Sequence, residues 1–391
     1  MIDWIVNLGR IDPVKEIIQI YHRTIIVMQR HRIGEWLNRM KFSALHKSKR
    51  NQIMRYIGVD LHTNSLTACY FDGGDYQFKT FETNKVGLSE FRLTLKKQDK
   101  LAVESTGNSN YFYQQIIKSV GEIIVVNPSQ FNVIRNSVKK TDKNDARALA
   151  FYLSKEMLPE SRVKSEAHIQ VARISHSREQ LVKTRTSLIN KLHGIFNSLG
   201  YKLKKETLTT QKGLNGLLQY NLDELTKLEV NIFKQQIEQL TQGIKQMDAL
   251  LQGAGEKLSG FKSINSIKGI GQKSASILLS CIGDIKDFES ADKLAAYFGI
   301  VPRVSNSNET ERSGRITKRG TKLGRTTLVQ CTLVAIRYSD FLRSFYEKIK
   351  TKKGSGKAII ATARKLLKTI YLTLKNNWVF EDFPNYVLRK N

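Results

Sequence analysis

Apolar positions along the chain change their period several times, and those changes divide it into segments. Residues 1–53 are mostly helix-compatible in pattern. From residue 56 the period shortens towards two. Residues 56–60 form a short, β-branched run ending in an acid, 66–71 form a second strand candidate, and 76–82 alternate like a third. Residues 88–97 fit a helix, and 101–103 predict a fourth strand that ends at Glu104. Residues 111–120 fit a helix, and 123–126 a buried strand closed by Asn127-Pro128. In residues 142–154, apolar side chains at 146, 149, 150 and 153 draw a helical stripe. Three early strands followed by alternating helix and strand predict a mixed sheet with helices on its faces.

Beyond this region the period lengthens again. Residues 165–251 are helical in pattern almost throughout, and Ile237, Leu240, Ile244, Met247 and Leu251 follow 3-4-3-4 spacing. That is the seam of an α-hairpin or short coiled coil, although a bundle helix fits equally over so short a stretch. Residues 200–218 read as polar and irregular. The last part, 263–374, opens on Ile267-Lys-Gly-Ile-Gly271 before a helix-compatible 274–281, runs through a polar, basic loop at 303–325, and closes with two apolar-rich helices. The predicted organisation is a basic extension (1–53), an α/β catalytic domain (54–164), a helical or coiled-coil spacer (165–258) and a mostly helical C-terminal domain (259–391).

Charge changes the picture most. With 64 Lys+Arg against 35 Asp+Glu in 391 residues, the formal net charge is +29. Such a surplus repels itself unless a polyanion neutralises it, so nucleic acid is the expected partner and a membrane surface the lesser one. Residues 301–391 hold 20 Lys/Arg and 6 Asp/Glu, nearly half of the whole excess. No apolar run approaches the length of a membrane span, and Asp3 and Arg10 interrupt the first apolar residues, unlike a cleaved signal peptide. Cys69, Cys281 and Cys331 are too widely spaced for a disulfide framework or a zinc site. The expectation is a cytoplasmic, nucleoid-associated protein.

Four acids stand out by position. Asp60 and Glu104 end strands that are otherwise apolar, at the rim where ligands of open α/β sheets gather. Asp142 and Asp145 are spaced i, i+3 on the face of the stripe Ala146, Leu149, Leu153, so both are expected to face the sheet rather than water. Taken singly, each has an ordinary explanation. Asp60 precedes a turn, Glu104 opens a polar loop, and Asp142 suits a helix N-terminus with Thr141 as N-cap. Together, in a basic chain, four carboxylates turned towards one place call for Mg²⁺ or Mn²⁺. A pair of such ions about 4 Å apart clamps the attacking and leaving oxygens of a phosphodiester.

A second constellation lies in the basic loop. Arg303, Arg312, Arg315, Lys318, Arg319 and Arg325 surround Ser305, Ser307 and Ser313, and such cations would hold phosphates and stabilise a pentacoordinate transition state. Serines in such loops are most often plain loop residues, and no neighbouring histidine supplies a base. Gly269-Ile-Gly271 between helices suits a helix–hairpin–helix turn whose amides hold a DNA phosphate, and equally a plain turn. Gly354-Ser-Gly-Lys357 lacks the first glycine and the hydroxyl of a phosphate loop. His62 and His193 read as ordinary polar residues.

The segments Tyr56-Ile-Gly-Val-Asp60, Val103-Glu104-Ser-Thr-Gly107, Asn127-Pro128 and Lys140-Thr-Asp142-Lys-Asn-Asp145-Ala resemble the N-terminal domain of the DEDD transposases of the insertion-sequence 110 family. Ile267-Lys-Gly-Ile-Gly271, Gly299-Ile-Val-Pro302, Gly314-Arg-Ile-Thr-Lys-Arg-Gly320 and Ala363-Arg-Lys-Leu-Leu367 resemble that family's C-terminal domain. The resemblance spans about residues 54–376. It implies a RuvC-like ribonuclease-H fold joined through a coiled coil to a smaller helical domain, with Asp60, Glu104, Asp142 and Asp145 as the metal-binding tetrad. It further implies a serine that bonds covalently to DNA, a structured RNA encoded by the element that guides the complex, and a homo-oligomer, a dimer or tetramer. The family's serine stands in a Ser-Gly pair five residues after the proline, which corresponds to Ser307-Asn308, with Ser305 and Ser313 as alternatives. Gly324 replaces a leucine that the family generally has before Arg325, so the next helix is expected to start differently. Residues 1–53 have no counterpart, and they are either a basic arm or the product of a start codon placed upstream of Met54. Competing readings are a RuvC-like structure-specific nuclease, a resolvase, and a non-catalytic nucleic-acid-binding protein.

Overall fold

The computed structural model describes residues 54–131, 141–204, 206–307 and 310–380, and for residues 304–307 and 310–313 it describes the backbone alone. The basic extension lies outside the described residues. The chain forms two compact units, one ending at Val163 and the other beginning at Lys164.

The first unit is built on a five-stranded sheet of order β3-β2-β1-β4-β5. Strands β1 (Tyr56–Leu61), β2 (Ser65–Phe71) and β3 (Tyr76–Glu82) form an antiparallel meander. Strands β4 (Lys100–Glu104) and β5 (Glu122–Val126) lie parallel to β1 on its other side. Helix α1 (Lys85–Leu93) leads into β4, and α2 (Ser109–Ile116) leads towards β5 through a 3₁₀ turn at Ile117–Ser119. Both helices start and stop earlier than their apolar spacing predicts. Asn84 caps α1 by accepting from Gly87 N–H at 2.9 Å, and the 3₁₀ turn tightens the end of the second.

Side-chain alternation gives the sheet two different faces. Ile57, Val59, Leu101, Val103 and Val125 bury one face beneath Leu88, Phe91 and Phe112 of α1 and α2. The opposite face, with Cys69, Ala102 and Val126, is covered by α3 (Asp142–Ser154) through Ala146, Leu149, Ala150 and Leu153. Gly58 makes this cover possible. A Cβ at Gly58 would stand 2.0 Å from the Ala146 carbonyl oxygen and 2.4 Å from the Ala150 nitrogen, so α3 rests on bare backbone.

The second unit begins with two long helices, α4 (Glu166–Ser198) and, after a short α5 (Gln211–Gly216), α6 (Glu224–Gly255). They run antiparallel, because Arg178 pairs with Asp248 at 2.8 Å while Arg185 reaches Thr241 at 3.4 Å. Ile237, Ile244 and Leu251, one per heptad, are the fully buried members of the predicted seam. The stretch 200–218 is not irregular. Leu208, Leu214 and Leu217 pack with Leu192, Phe196 and Val230 into a separate small core at the end of the helical hairpin. Its apolar residues are spaced by 3₁₀ and single-turn geometry, which no long period reveals.

The other end of this hairpin enters the main core of the unit, where Val171 and Leu251 meet residues of the C-terminal helices. These are α7 (Phe261–Asn265), α8 (Gln272–Ile282), α9 (Ala291–Tyr297), α10 (Lys322–Tyr338), α11 (Asp340–Lys353) and α12 (Ser355–Lys375). Three helices close the chain rather than two. The basic segment read as a loop is an antiparallel β-hairpin, β6 (Pro302–Ser307) with β7 (Thr310–Ile316). Its strands are polar, so they carry no apolar alternation, and backbone pairing alone defines them.

The contact at Gly58 predicts a stability effect. Gly58→Val should cost on the order of 3 kcal/mol, as overpacking against backbone does. Gly194→Ala, where an added Cβ meets nothing within 4 Å, should be neutral or slightly stabilising. Denaturant unfolding of the two variants measures both; equal midpoints would contradict the account.

Candidate functional site

The four predicted acids can be followed from their elements. Asp60 stands near the end of β1, on the same side as Gly58 and therefore under α3, with Val59 paired to Val103 of β4. Glu104 follows Val103 and shares the side of Ala102, which packs against Leu149 and Leu153. Asp60 and Glu104 thus sit next to each other at the C-terminal ends of two parallel strands, both on the face that α3 covers. Asp142 and Asp145 lie in the first turn of α3. The cap is supplied by Thr141, whose hydroxyl accepts from Asn144 N–H at 3.3 Å.

Only one of the helical pair faces the sheet as predicted. Asp145 is buried, whereas the Asp142 side chain is 58% exposed. The correction has a simple reason: Asp142 is the first residue of the helix, so no preceding turn of α3 covers its side. Its carboxylate instead meets the turn between β1 and β2. There the His62 backbone N–H donates to the Ser65 carbonyl at 2.9 Å, and the ring is set between two acids. His62 Nε2 is 3.1 Å from Asp60 Oδ2 and 3.6 Å from Asp142 Oδ1. Ligand atoms of Asp60, His62 and Asp142 all lie within 4.8 Å of one another, while Glu104 and Asp145 are not members of that group.

His62 is therefore the site residue that its reading as an ordinary polar side chain passed over. The available signal was its place two residues beyond a strand-end acid, in the turn that must follow. A further tie holds the site's loops together: Asn108 Nδ2, just after Glu104 in sequence, donates to the His62 carbonyl at 2.9 Å. Beneath the site, Cys69 is fully buried against Ala146 and Ala150, and burial pushes its thiol up to about 12, with Arg147 opposing. Two carboxylates and an imidazole within reach of one point are an oxygen and nitrogen donor set suited to a divalent cation.

In the second unit, glycines pinch the base of the β-hairpin. A Cβ at Gly299 would stand 2.0 Å from the Arg319 carbonyl oxygen, and one at Gly320 would stand 2.0 Å from that of Tyr297. Both have positive φ, as does Lys318 at 55°. Arg303, Arg315, Lys318 and Arg319 are exposed around this neck. Arg325 donates to the carbonyls of Phe298 at 3.3 Å and Gly320 at 3.1 Å, bracing the neck from α10. That helix begins at Lys322 with Thr321 as its cap, and Gly324 fits closely against Cys281 and Phe298. Ser307 ends β6, while the side chains of Ser305, Ser307, Arg312 and Ser313 lie outside the description. Gly269, with φ 104°, abuts the Ala335 backbone, and Gly271 precedes α8 with open space at its Cβ position. Among the described residues no helix is long and apolar enough to cross a membrane.

Residues 262–347 match the family described as transposase IS116/IS110/IS902, and residues 57–201 match a further family described as transposase. The transposase for insertion sequence element IS1111A of Coxiella burnetii is 24% identical over 360 residues, 89% of this chain and 95% of that protein. The pilin gene-inverting protein of Moraxella bovis is 28% identical over 349 residues, 83% of this chain and 97% of that protein. The chain belongs to the IS110 family of transposases. It is thereby a DNA-processing enzyme of insertion sequences, a transposase/recombinase. In this IS110-family transposase, one match takes in all four acids and His62, and the other takes in the hairpin and its glycine neck.

Burial also predicts the chemistry of the thiols. Desolvation raises the pKa of Cys69, Cys281 and Cys331 alike, so each stays a protonated, covered thiol at pH 8. A chromogenic thiol reagent at that pH should leave the folded transposase unlabelled and react with three equivalents in denaturant. Rapid labelling of the native protein would contradict this packing.

Proposed function

We propose that the first unit is a RuvC-like, ribonuclease-H-type nuclease domain (54–164) in which Asp60, Glu104, Asp142 and Asp145 hold Mg²⁺ or Mn²⁺. The sheet order and the mixed pairing, three antiparallel strands beside two parallel ones, support the fold. The observation that carries the reading is that all four acids come from one sheet end and the helix turn above it, with Asp60 and Asp142 already joined through His62. Bound here, the cation would supply Lewis acidity at a phosphodiester. The chain's own groups have simpler tasks. His62 and Asn108 hold the β1 and β4 turns in place, and the α3 contact at Gly58 fixes the height of the aspartates.

Residues 165–258 then act as a helical spacer, and 259–391 as the domain that carries the nucleophile. Ser307 attacks a DNA phosphate: its Oγ bonds to phosphorus, the bond to one deoxyribose oxygen breaks, and the hydroxyl proton passes to that departing oxygen. The reverse attack rejoins strands, which suits a relative named for inverting a gene. Arg303, Arg312, Arg315, Lys318 and Arg319 would hold phosphates around the neck, with Arg325 behind them and the amides near Gly269 and Gly271 on the flank. Element ends and target DNA at the nucleoid, a guide RNA and further copies of the chain complete the assembly in this reading. A resolvase would leave the serine hairpin without a task, and a passive binding protein would leave the acids without one.

Two experiments test the two halves separately. Asp60→Asn should abolish divalent-metal-dependent strand cleavage, a loss of at least about a thousandfold, while leaving DNA binding intact in a filter or gel assay. Retained cleavage would rule out the metal site. Ser307→Ala should remove a protein–DNA adduct seen after denaturing the reaction. An adduct that survives there but vanishes in Ser305→Ala or Ser313→Ala moves the nucleophile to that residue, and survival in all three ends the serine mechanism.

A further inference from the structure

At the end of the sheet that carries the acids, the first unit holds a cavity of about 490 Å³ lined in part by His62 and the loop after Glu104. We propose that it receives one unstacked nucleotide of the DNA strand being processed, an inference that rests on reading the acids as the cleavage site. His62 lines this cavity and also touches Asp60 and Asp142. Through this shared residue, a strand with a phosphate at the carboxylates would have a neighbouring nucleotide within reach of the cavity.

The lining suits a nucleobase. Leu88 and Phe112 form an apolar floor from the core of the unit. Tyr111, the residue before Phe112 on α2, leaves 46% of its surface exposed at the wall, an aromatic face with water where a stacked partner would be favourable. Thr106 Oγ1 donates to Asn108 Oδ1 at 2.8 Å and Asn108 Nδ2 to the His62 carbonyl at 2.9 Å, so what this loop offers a base edge is the hydroxyl's lone pairs and the second amide hydrogen. Among the described residues no aspartate or glutamate lines the cavity, while Asp60 and Asp142 contact His62 at its rim. A base paired and stacked in a duplex cannot enter a pocket of this kind, so occupancy requires an extruded or single-stranded nucleotide.

Single-stranded oligodeoxynucleotides carrying one 2-aminopurine, bound to the full-length protein with Ca²⁺ present, read out this stacking. The expected result is quenching at one position along the strand, lost in Tyr111→Ala with roughly tenfold weaker binding and retained in Tyr111→Phe. Gly107→Leu is a second probe. Gly107 lines the cavity and an added Cβ meets nothing within 4 Å, so the fold admits a leucine there, and its bulk at the cavity wall should also remove the quenching. Unchanged quenching in both Tyr111→Ala and Gly107→Leu overturns the proposal. So does quenching confined to an oligoribonucleotide, which would make the cavity an RNA site. Loss of metal-dependent cleavage in Asp60→Asn, together with unchanged quenching in Tyr111→Ala and Gly107→Leu, removes the cavity alone. Cleavage that survives Asp60→Asn removes the reading of the acids on which it stands.

Discussion

Helix α3 lies on strand β1 with no side chain between them at Gly58, and the arrangement of the site follows from that contact. Ala146, Ala150 and Cys69 keep the surrounding positions small, so the helix settles close to the sheet over a patch of buried backbone and short side chains. Ala146 is one turn beyond Asp142, and a helix rises 1.5 Å per residue. The height of the aspartates above the strand ends is thus set by where the helix touches the sheet. A larger residue at 58 would lift or slide α3 and move two carboxylates at once. Packing and site geometry are one constraint here, which is why a glycine inside an otherwise apolar strand matters to chemistry several residues away.

Electrostatics divides the chain in a complementary way. A protein with a net charge of +29 gathers acids at the end of one sheet, where they repel one another. His62 stands between Asp60 and Asp142, and a divalent cation there would offset that repulsion. The positive residues around the glycine neck have the opposite problem, and on the proposed reading phosphates would neutralise them. On the proposed reading, DNA with its cations would supply the counter-charge that each of these clusters lacks.

The neck of the hairpin shows how backbone can carry a family's signature. Gly299 and Gly320 are twenty-one residues apart, yet the backbone of 297–299 and 318–320 crosses so closely that neither admits a Cβ. Lys318 N–H donates to the Gly299 carbonyl at 3.0 Å and Thr317 N–H to that of Val301 at 2.9 Å, closing the crossing. Arg325 seals it from the side with its guanidinium on two carbonyls. Polar strands with no core of their own are anchored in this way to a well-packed helical unit.

What the sequence by itself determined is local. The five strands of the first unit, the bounds of α3 and the Thr141 cap all follow from periods, acids and capping residues that neighbours in the chain specify. The strand-end positions of Asp60 and Glu104 were legible for the same reason. Tertiary structure alone decided the rest. The polar β6–β7 hairpin has no apolar alternation, so pairing between strands defines it and local pattern does not. The small core at 200–218 draws its apolar residues from separate turns and from two distant helices. Asp142 is exposed because its helix begins there, and His62 belongs to the site because a turn folds it back over Asp60 and towards a helix eighty residues further along the chain. Hydrophobic period reports which side of an element is buried; it carries no information about which polar ends meet, since that depends on how close the packed elements approach.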